Sequence, residues 1–522
     1  MAFGSVDRRS IQLSYGRSVG KGSDQGPLRQ SEVAATLDFP SAPREARAQG
    51  LLMRCATHMR GRLATLTVAL FVLLGLIAVA GAAEGTRGEA SAAPYGRLVQ
   101  PRGLDGCIHR TGVNRCTRGR AVTSPEEVVV SPDGRHVYVA SLGSHAVAVF
   151  SRDRRTGLLT QLRRRRGCVR QGRGGGCAPG RGLGAPSAIA ISRDGRNVYV
   201  AAAGSDGVSV FARNRRTGVL TQLPGASGCI QERPGDGCAV GRALNEPTSV
   251  AVSPNGARVY VTGRRFPSGV AILTRAPDGS LTQAADSSGC VSHRGGLGCL
   301  PARGISAPEE VLVTADSRQV LIAGSRSNAV AVLQSGPAGL TQADGEAGCI
   351  SLAGSEGCAT GKILAGAVDL AISPDGRSVY TASSVADGIA ILRRNRLTGA
   401  LTQSTGRGGC ISQDGGGGRC VPGRGLDEVW SVAVSPDGRN AYAVSSKVNM
   451  LGAMSRSSTT GRLRQLPGRF ACFIRAGGLG CPDGRGLTVA VSIVVSPDGR
   501  NVYVASEDSY LGSVAVFRRR VR

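Results

Sequence analysis

Histidine, aromatic residues and regular helical patterns are scarce in this chain. Of its 522 residues, five are His, one is Trp and 4% are aromatic. Apolar residues follow no helical period of useful length outside one N-terminal run, which excludes a helical fold. Four histidines follow that run, and none has a nucleophile or carboxylate partner at a catalytic spacing. Nucleophile-elbow and phosphate-loop motifs are absent too, so we expect no cofactor.

Lysine is nearly absent as well, with three residues, and arginine supplies almost all of the positive charge. The chain has 64 basic and 36 acidic residues, a net charge of +28. The ten basic and five acidic residues of positions 1–83 leave +23 for the remainder. Two interpretations stay open. The surface is either merely solvated, or it binds an anionic partner such as an acidic polysaccharide, a wall polymer or a nucleic acid.

The front of the chain has the features of an export signal. The apolar stretch Leu63–Ala83 follows a basic segment and ends in small residues, as in a cleavable secretory signal. An uncleaved anchor is the alternative, because about 20 apolar residues span a bilayer. We predict a secreted or extracytoplasmic protein. Its predicted parts are a non-globular extension from a mis-assigned start (1–52), a signal peptide (53–83), a linker (84–94) and the folded domain (95–522).

The folded region contains seven repeats of about 61 residues. Fourteen cysteines form seven close pairs, whose first members recur at intervals of 59 to 62 residues. The pairs are Cys107/Cys116, Cys168/Cys177, Cys229/Cys238, Cys290/Cys299, Cys349/Cys358, Cys410/Cys420 and Cys472/Cys481. A Ser-Pro-Asp-Gly-Arg turn, first at Ser131–Arg135, keeps the same register. With 77 glycines and short apolar runs between turns, this repetition predicts an all-β seven-bladed β-propeller with four antiparallel strands per blade.

The ends of the repeat region predict how the ring closes. A lone fourth strand, Leu98–Gln100, precedes the first repeat, and the chain stops after a third strand, Ser513–Phe517. Closing a ring removes two exposed sheet edges. We therefore predict that the N-terminal strand completes the last blade.

The cysteine pairs predict seven local disulfides, which we call staples. Exported proteins keep disulfides, whereas cytosolic thiols stay reduced. Zinc sites need closer ligands and a second pair, so no metal is expected here. The loops that carry the staples show no strand pattern, and we expect the disulfides to stiffen them on one face of the propeller.

Four residues after each second cysteine stands a cation. The seven are Arg120, Arg181, Arg242, Arg303, Lys362, Arg424 and Arg485. We call them the cation ring. The ring is expected either to bind an anionic polymer or small ligand on the stapled face, or to satisfy carbonyls of each cation's own loop. Other arginines cluster in the turns between third and fourth strands and at Arg163–Arg166, and we interpret these as solvated.

Carboxylates begin three of the inner strands and are candidate catalytic groups. Glu127, Glu310 and Asp369 are expected to meet at the mouth of the central channel. They are candidates for calcium binding, for general-base catalysis, or for pairing with the cation ring. Arg264 and Tyr510 lie in irregular turns between second and third strands and are further ligand-binding candidates.

The blade motifs resemble those of the lactonase-type seven-bladed propellers. This family contains bacterial 6-phosphogluconolactonases and surface proteins with Tyr-Val-Thr-Asn repeats. The likeness rests on Ser-Pro-Asp-Gly-Arg-x-Val-Tyr-Val-Ala, a Val-x-Val-Phe strand and Thr-Gly-x-Leu-Thr-Gln-Leu, and it covers residues 95–522. Where the family's enzymes carry Pro-His before an inner strand, this chain has Pro125-Glu126. We therefore predict a monomeric binding scaffold, with a lactonase-type hydrolase as the alternative. We expect no specific nucleic-acid binding and no membrane contact beyond the signal segment.

Overall fold

The computed structural model describes residues 94–507 and 511–521, which belong to one compact unit. The predicted extension, the signal peptide and all of the linker except Pro94 lie outside the described residues. The described chain forms seven sheets and short 3-10 turns, and no helix in it is long and apolar enough to cross a bilayer. The inner strands contact one another in a closed cycle, which confirms the seven-bladed propeller.

Each blade is built outward from an inner strand beside the central channel. The inner strands of blades 1 to 7 are Pro125–Val130, Pro186–Ile191, Pro247–Val252, Pro308–Val313, Ala367–Ile372, Val429–Val434 and Ala490–Val495. The second strands are His136–Ser141, Asn197–Ala202, Arg258–Gly263, Gln319–Gly324, Ser378–Ser383, Asn440–Ser445 and Asn501–Ser506. The third strands are Ala146–Arg152, Gly207–Arg213, Gly269–Arg275, Ala329–Gly336, Gly388–Arg394, Met450–Arg456 and Ser513–Arg519.

Local chemistry explains the hairpin between inner and second strands. In blade 1 the Ser131 hydroxyl donates to the Asp133 carboxylate at 2.6 Å, which also accepts the Arg135 N–H at 3.0 Å. Gly134 has a φ of +67°, a left-handed conformation that costs glycine nothing. The second and third strands that follow are almost wholly buried, because neighbouring blades cover both of their faces.

The outer position of each blade holds two short strands in line. The outer strands are Leu159–Gln161, Leu220–Gln222, Leu281–Gln283, Gly339–Gln342, Leu401–Gln403, Leu463–Gln465 and, in blade 7, Leu98–Val99. A 3-10 turn follows, and the chain then re-joins the same third strand as a cysteine strand. The cysteine strands are Cys168–Gln171, Cys229–Gln231, Cys290–His293, Cys349–Ser351, Cys410–Ser412, Cys472–Ile474 and, in blade 7, Cys107–His109.

The stapled loops are therefore more ordered than the sequence predicted. After the second cysteine, blades 1 to 5 and the closing blade, blade 7, add a short strand parallel to the cysteine strand. In blade 1 this strand is Ala178–Gly180, beside Cys168–Gln171. The prediction of loops without strand pattern was wrong, because two- or three-residue strands leave no periodic signal in a Gly-rich sequence.

All seven predicted disulfides are confirmed, each within its own loop. They are Cys107–Cys116, Cys168–Cys177, Cys229–Cys238, Cys290–Cys299, Cys349–Cys358, Cys410–Cys420 and Cys472–Cys481. The first cysteine of each pair begins the cysteine strand, and the second lies in the loop beyond it. Six of the second cysteines are buried, namely Cys116, Cys177, Cys299, Cys358, Cys420 and Cys481, and Cys238 is partly exposed. Because every one of these sulfurs is bonded to another, the cysteines serve to hold the loops and are not themselves ligand-binding groups.

The predicted ring closure is confirmed. Leu98 pairs with Arg519 and Val99 with Arg518, and the cysteine strand Cys107–His109 pairs with the first half of the same third strand. The first and last strands of the propeller thus share one sheet, and the closing blade has no unpaired third strand.

Buried arginines join neighbouring blades on the face opposite the staples. At the junction of blades 1 and 2, Arg213 Nη2 lies 2.9 Å from the Asp133 carboxylate, and Nε donates to the Tyr138 hydroxyl at 2.8 Å. The Arg213 side chain is fully buried. We call this Asp–Arg–Tyr arrangement a latch. The same latch is formed by Arg152, Arg275, Arg456 and Arg519 with the preceding blade.

The latch corrects the interpretation of these arginines as solvated. Third-strand arginines face inward across the blade junction, while their neighbours in the following turn stay exposed. Two junctions depart from the pattern. Between blades 4 and 5, Arg394 donates to Gln319, and Leu321 stands where other blades have the latch tyrosine. Between blades 3 and 4, Ser335 bonds Tyr260 at 2.7 Å, and Arg258 donates from the other side to the Gly336 carbonyl at 2.7 Å.

Candidate functional site

The stapled loops and the turns between second and third strands share one face of the propeller. In blade 1 the Gln171 N–H, at the end of the cysteine strand, donates to the His145 carbonyl of the turn at 2.9 Å. The equivalent bond recurs in all seven blades. We call this end of the ring the stapled face; the cation ring follows its staples, and Arg264 lies in one of its turns.

The cation ring links the staple of one blade to the next blade. Arg120 follows the blade 7 staple, and its guanidinium donates to the carbonyls of Leu162, Arg164 and Gly176 in blade 1 at 3.4, 2.8 and 3.1 Å. Each of the other six cations also donates to carbonyls of the following blade. The prediction that each cation bonds carbonyls of its own loop was therefore wrong, because the bonded carbonyls belong to the following blade.

A glutamine that the sequence analysis missed completes each of these contacts. We call a ring cation, its glutamine and the carbonyls that it bonds a cation clamp. The side chain of Gln161 accepts the Arg120 N–H at 2.9 Å and donates to the Arg120 carbonyl at 2.8 Å. Equivalent glutamines end the outer strand in blades 2 to 6, in the Leu-Thr-Gln motif and its variants, and Gln100 directly follows it in blade 7. The signal was a recurring Gln 41 residues after most of the ring cations. Ligand binding by the ring stays a prediction, and its donors are engaged by backbone carbonyls.

A bulge in each inner strand positions the candidate carboxylates. In blade 1 the register shifts between Pro125 and Glu127, which frees the next N–H from the ladder. A side-chain oxygen of the preceding blade accepts this N–H at several junctions. Glu127 accepts from Ile189 at 2.6 Å and Asp369 from Val432 at 2.8 Å.

Serine side chains accept the equivalent N–H at three other junctions of the ring. Ser492, Ser249 and Ser431 accept the freed N–H of the following blade at 3.3 to 3.4 Å. Glu310 differs, because the N–H of Leu370 is taken by the carboxylate of Asp369 at 2.7 Å. Glu310 instead bonds the Ser249 side chain. The equivalent bulge position in blade 2 is alanine, Ala188.

The three carboxyl groups lie in electrostatic range of one another. Each is partly exposed toward the channel but enclosed by protein on its other sides. Burial raises the pKa of Glu127 to about 8, against the lowering effect of the Ile189 N–H. Burial raises the pKa of Asp369 to about 6. Burial and then the charges of Asp369 and Glu127 raise the pKa of Glu310 well above its usual value.

The raised pKa values of Glu127 and Asp369 allow both groups to exchange protons near neutral pH. Among residues 94–507 and 511–521, no group of three or more His, Cys, Asp or Glu side chains is placed to hold a metal ion. The alternative that the acids pair with the cation ring was wrong, because the ring cations donate to backbone carbonyls. With pKa values of about 8 and about 6, Glu127 is the better proton donor of the two and Asp369 the better proton acceptor.

The irregular turns of the stapled face form ion pairs of their own. Arg264 lies 3.4 Å from Glu309, and the next residue, Arg265, lies 2.5 Å from Glu246. Lys447 lies 3.2 Å from Asp427. Arg264 therefore has a carboxylate partner, and Tyr510 lies outside the described residues.

Exposed apolar side chains collect on the stapled face. The described residues include nine exposed large hydrophobic side chains, and six of them lie in the stapled loops or in the adjoining turns. The six are Val113, Phe266, Leu297, Leu352, Val385 and Leu479. Phe266 is 90% exposed, although aromatic residues are scarce in the sequence. Sequence reasoning named this turn as irregular but did not identify the apolar character of the face.

The fold and the site define a disulfide-stapled, seven-bladed β-propeller with half-buried acids on its inner strands. No protein-family model and no curated protein matches the chain. Solved structures do resemble it, and 6-phosphogluconolactonase-like propellers are among them. A protein assigned as a 6-phosphogluconolactonase from Bacteroides fragilis NCTC 9343 is 18% identical, with a TM-score of 0.46 over 66% of this chain and 83% of that chain.

Two further structures resemble the chain at a similar level. The periplasmic gluconolactonase of Pseudomonas aeruginosa is 18% identical, with a TM-score of 0.46 over 72% of this chain and 94% of that one. The hydrazine synthase of Kuenenia stuttgartiensis is 16% identical, with a TM-score of 0.48 over 77% and 97%. Their names cover unrelated reactions. The likeness therefore concerns the fold alone.

Proposed function

We propose that this protein is an exported interaction scaffold that binds a macromolecular partner with its stapled face. The observation that carries the proposal is the coincidence of rigidity and apolar exposure on that face. Seven disulfides and seven cation clamps hold its loops, and six exposed hydrophobic side chains project from these loops and from the adjoining turns. Rigid loops lose little conformational entropy when they bind, so a pre-organised surface of this kind favours association.

Export is part of this proposal. Seven disulfides are typical of proteins that fold under oxidising conditions. The staples close loops of about ten residues that would unlock in a reducing compartment. The binding surface is therefore expected to be intact only outside the cytoplasm.

Site-specific photo-crosslinking tests the proposal. A photo-reactive amino acid replaces Phe266 on the stapled face in the producing cells, and the same amino acid replaces Leu397 as the matched control. Leu397 is 82% exposed and lies in a turn on the opposite face. We expect a discrete crosslinked species from position 266 and none from position 397. Equal crosslinking at both positions, or none at position 266, contradicts a partner-binding stapled face.

A second candidate, a lactonase-type hydrolase, is favoured by the different pKa values of Glu127 and Asp369. A protonated and an ionised carboxyl in one site supply an acid and a base. Asp369 would take a proton from water as the water oxygen attacks the lactone carbonyl, and Glu127 would donate its proton to the ring oxygen as the C–O bond breaks. The product is the open hydroxy acid.

A pH-stat assay with simple lactones tests this second candidate. Glu127→Gln and Asp369→Asn are each expected to abolish acid release if the pair is catalytic. Asp153→Asn is the control, because Asp153 is an exposed acid on the opposite face. Unchanged acid release in all three variants contradicts catalysis by this pair.

A further inference from the structure

One junction between blades carries a basic cleft on the outer edge of the propeller. A cavity of about 780 Å³ lies between blades 1 and 2, lined by Leu162, Thr217 and Val219 and by the four arginines Arg163–Arg166. Arg215 and Arg216 precede Thr217 in the same exposed turn. All four lining arginines are exposed, and within the described part of the chain their guanidinium groups form no hydrogen bond or ion pair.

The equivalent space is filled at two other junctions. Between blades 5 and 6, the Arg462 side chain lies against Gly408 of the preceding blade's 3-10 turn. Between blades 3 and 4, Gly339 lies against the backbone of Ser288. Blade 1 therefore combines a run of arginines found in no other blade with a junction that is open.

Arg164 stands at a backbone position that favours glycine. Its φ is +55°, and four other blades place glycine at the equivalent position with φ between +53° and +71°. The carbonyl of each is held by a cation clamp, as Arg120 holds Arg164 at 2.8 Å, so the conformation is fixed by the fold. A left-handed conformation costs a residue with a side chain about 1 kcal/mol more than glycine. The blade 1 turn bears this cost and gains one exposed guanidinium.

We propose that the cleft between blades 1 and 2 binds a linear acidic glycan. Guanidinium groups recognise carboxylate and sulfate groups through paired hydrogen bonds. The floor of Leu162 and Val219 offers apolar contact to the C–H faces of sugar rings. None of the described residues that line the cleft is aromatic, whereas proteins that bind single-stranded nucleic acid stack bases on aromatic rings. The cleft lies on the outer edge, where Arg120 of the cation ring bonds the Arg164 carbonyl, and this inference does not rest on the exposed apolar residues of the stapled face.

Affinity for heparin and for polygalacturonate, one sulfated and one carboxylated, tests the proposal at 0.15 M salt. The test variant carries Arg163→Gln, Arg164→Gly, Arg165→Gln and Arg166→Gln. The control variant loses the same charge from exposed turns elsewhere, through Arg196→Gln, Arg318→Gln, Arg377→Gln and Arg500→Gln. We expect the test variant to lose about 30-fold in affinity for at least one glycan. The control variant should lose less than about threefold.

The single variant Arg164→Gly separates binding from folding. It is expected to raise the midpoint of thermal unfolding by about 1–2 °C, because glycine relieves the left-handed strain. It should nevertheless weaken glycan binding. Equal losses in the test and control variants would overturn the cleft, because they indicate a diffuse positive field. Single-stranded DNA that binds as tightly as heparin and depends equally on Arg163–Arg166 would overturn the glycan assignment.

Discussion

Removal of one latch should cost the propeller a measurable part of its stability. In the variant Arg213→Met the apolar stem is kept and the guanidinium is lost. The Tyr138 hydroxyl keeps its bond to the Gly218 carbonyl at 2.8 Å, but the Gly195 carbonyl and the Asp133 carboxylate lose their buried donor. Breaking a buried ion pair from one side costs about 3–5 kcal/mol. Asp133 keeps 24% of its side chain exposed, so we expect about 3 kcal/mol.

The pKa of Asp133 depends in part on the same latch, through the Arg213 hydrogen bond. Burial alone would raise this pKa, but hydrogen bonds from Ser131, from the Arg135 N–H and from Arg213 outweigh it and hold the value at about 2. The fall from 3.8 corresponds to about 2.5 kcal/mol, which solvent screening reduces to about 1 kcal/mol. A lowered pKa stabilises the folded state above pH 4 and loses this effect as the pH falls toward 2. The difference between wild type and Arg213→Met should therefore shrink over that range.

Urea unfolding followed by circular dichroism at pH 7 and at pH 3 measures both effects. Arg215→Met is the control, because Arg215 is exposed in the turn that follows the same strand. It should change the free energy of unfolding by less than about 0.5 kcal/mol. The reasoning is refuted if Arg213→Met and Arg215→Met are equally stable at pH 7.

Three further predictions concern the channel, the staples and the ring. Because the pKa of Glu127 is raised, the folded state loses stability as the pH rises from about 4.5 to 8. In urea titrations, Glu127→Gln should therefore be about 2 kcal/mol more stable than wild type at pH 8 and equal to it at pH 4. Replacing Cys229 and Cys238 by serine should cost about 2–3 kcal/mol in the same assay, and this difference from wild type should vanish when both proteins are fully reduced. Arg181→Met should speed hydrogen exchange at Gly225–Gly237, which its guanidinium holds, and leave the other six staples unchanged in mass spectrometry.

Repetition made the architecture predictable. A period of about 61 residues fixed the number of blades, and the unpaired strand Leu98–Gln100 indicated how the ring closes. The cysteine strands escaped detection because strands of three or four residues beside glycines have no recognisable alternation. The latch arginines did repeat with the period of the blades. They were misread because exposed arginines surround them in the same turns, and only burial separates Arg213 from Arg215.

The sequence predicted which residues form the candidate site but not which hydrogen bonds they make. Glu127, Glu310 and Asp369 were identified from their equivalent places on inner strands, and the structure brings them into electrostatic range. Their hydrogen bonds depend on a bulge, which a sequence does not display. Phe266 and the other exposed apolar residues were missed as a set, because they belong to turns and loops of different blades.

The shared closing blade ties the completion of folding to the synthesis of its last strand, Ser513–Arg519. The ribosome releases Leu98–Val99 among the first residues of the domain and Ser513–Arg519 among the last, yet these two segments pair with each other. Any chain that ends before residue 513 leaves the first strand without its partner and presents two open sheet edges to other molecules. A product truncated before this strand therefore cannot close the ring. Its unpaired sheet edges expose it to aggregation or proteolysis.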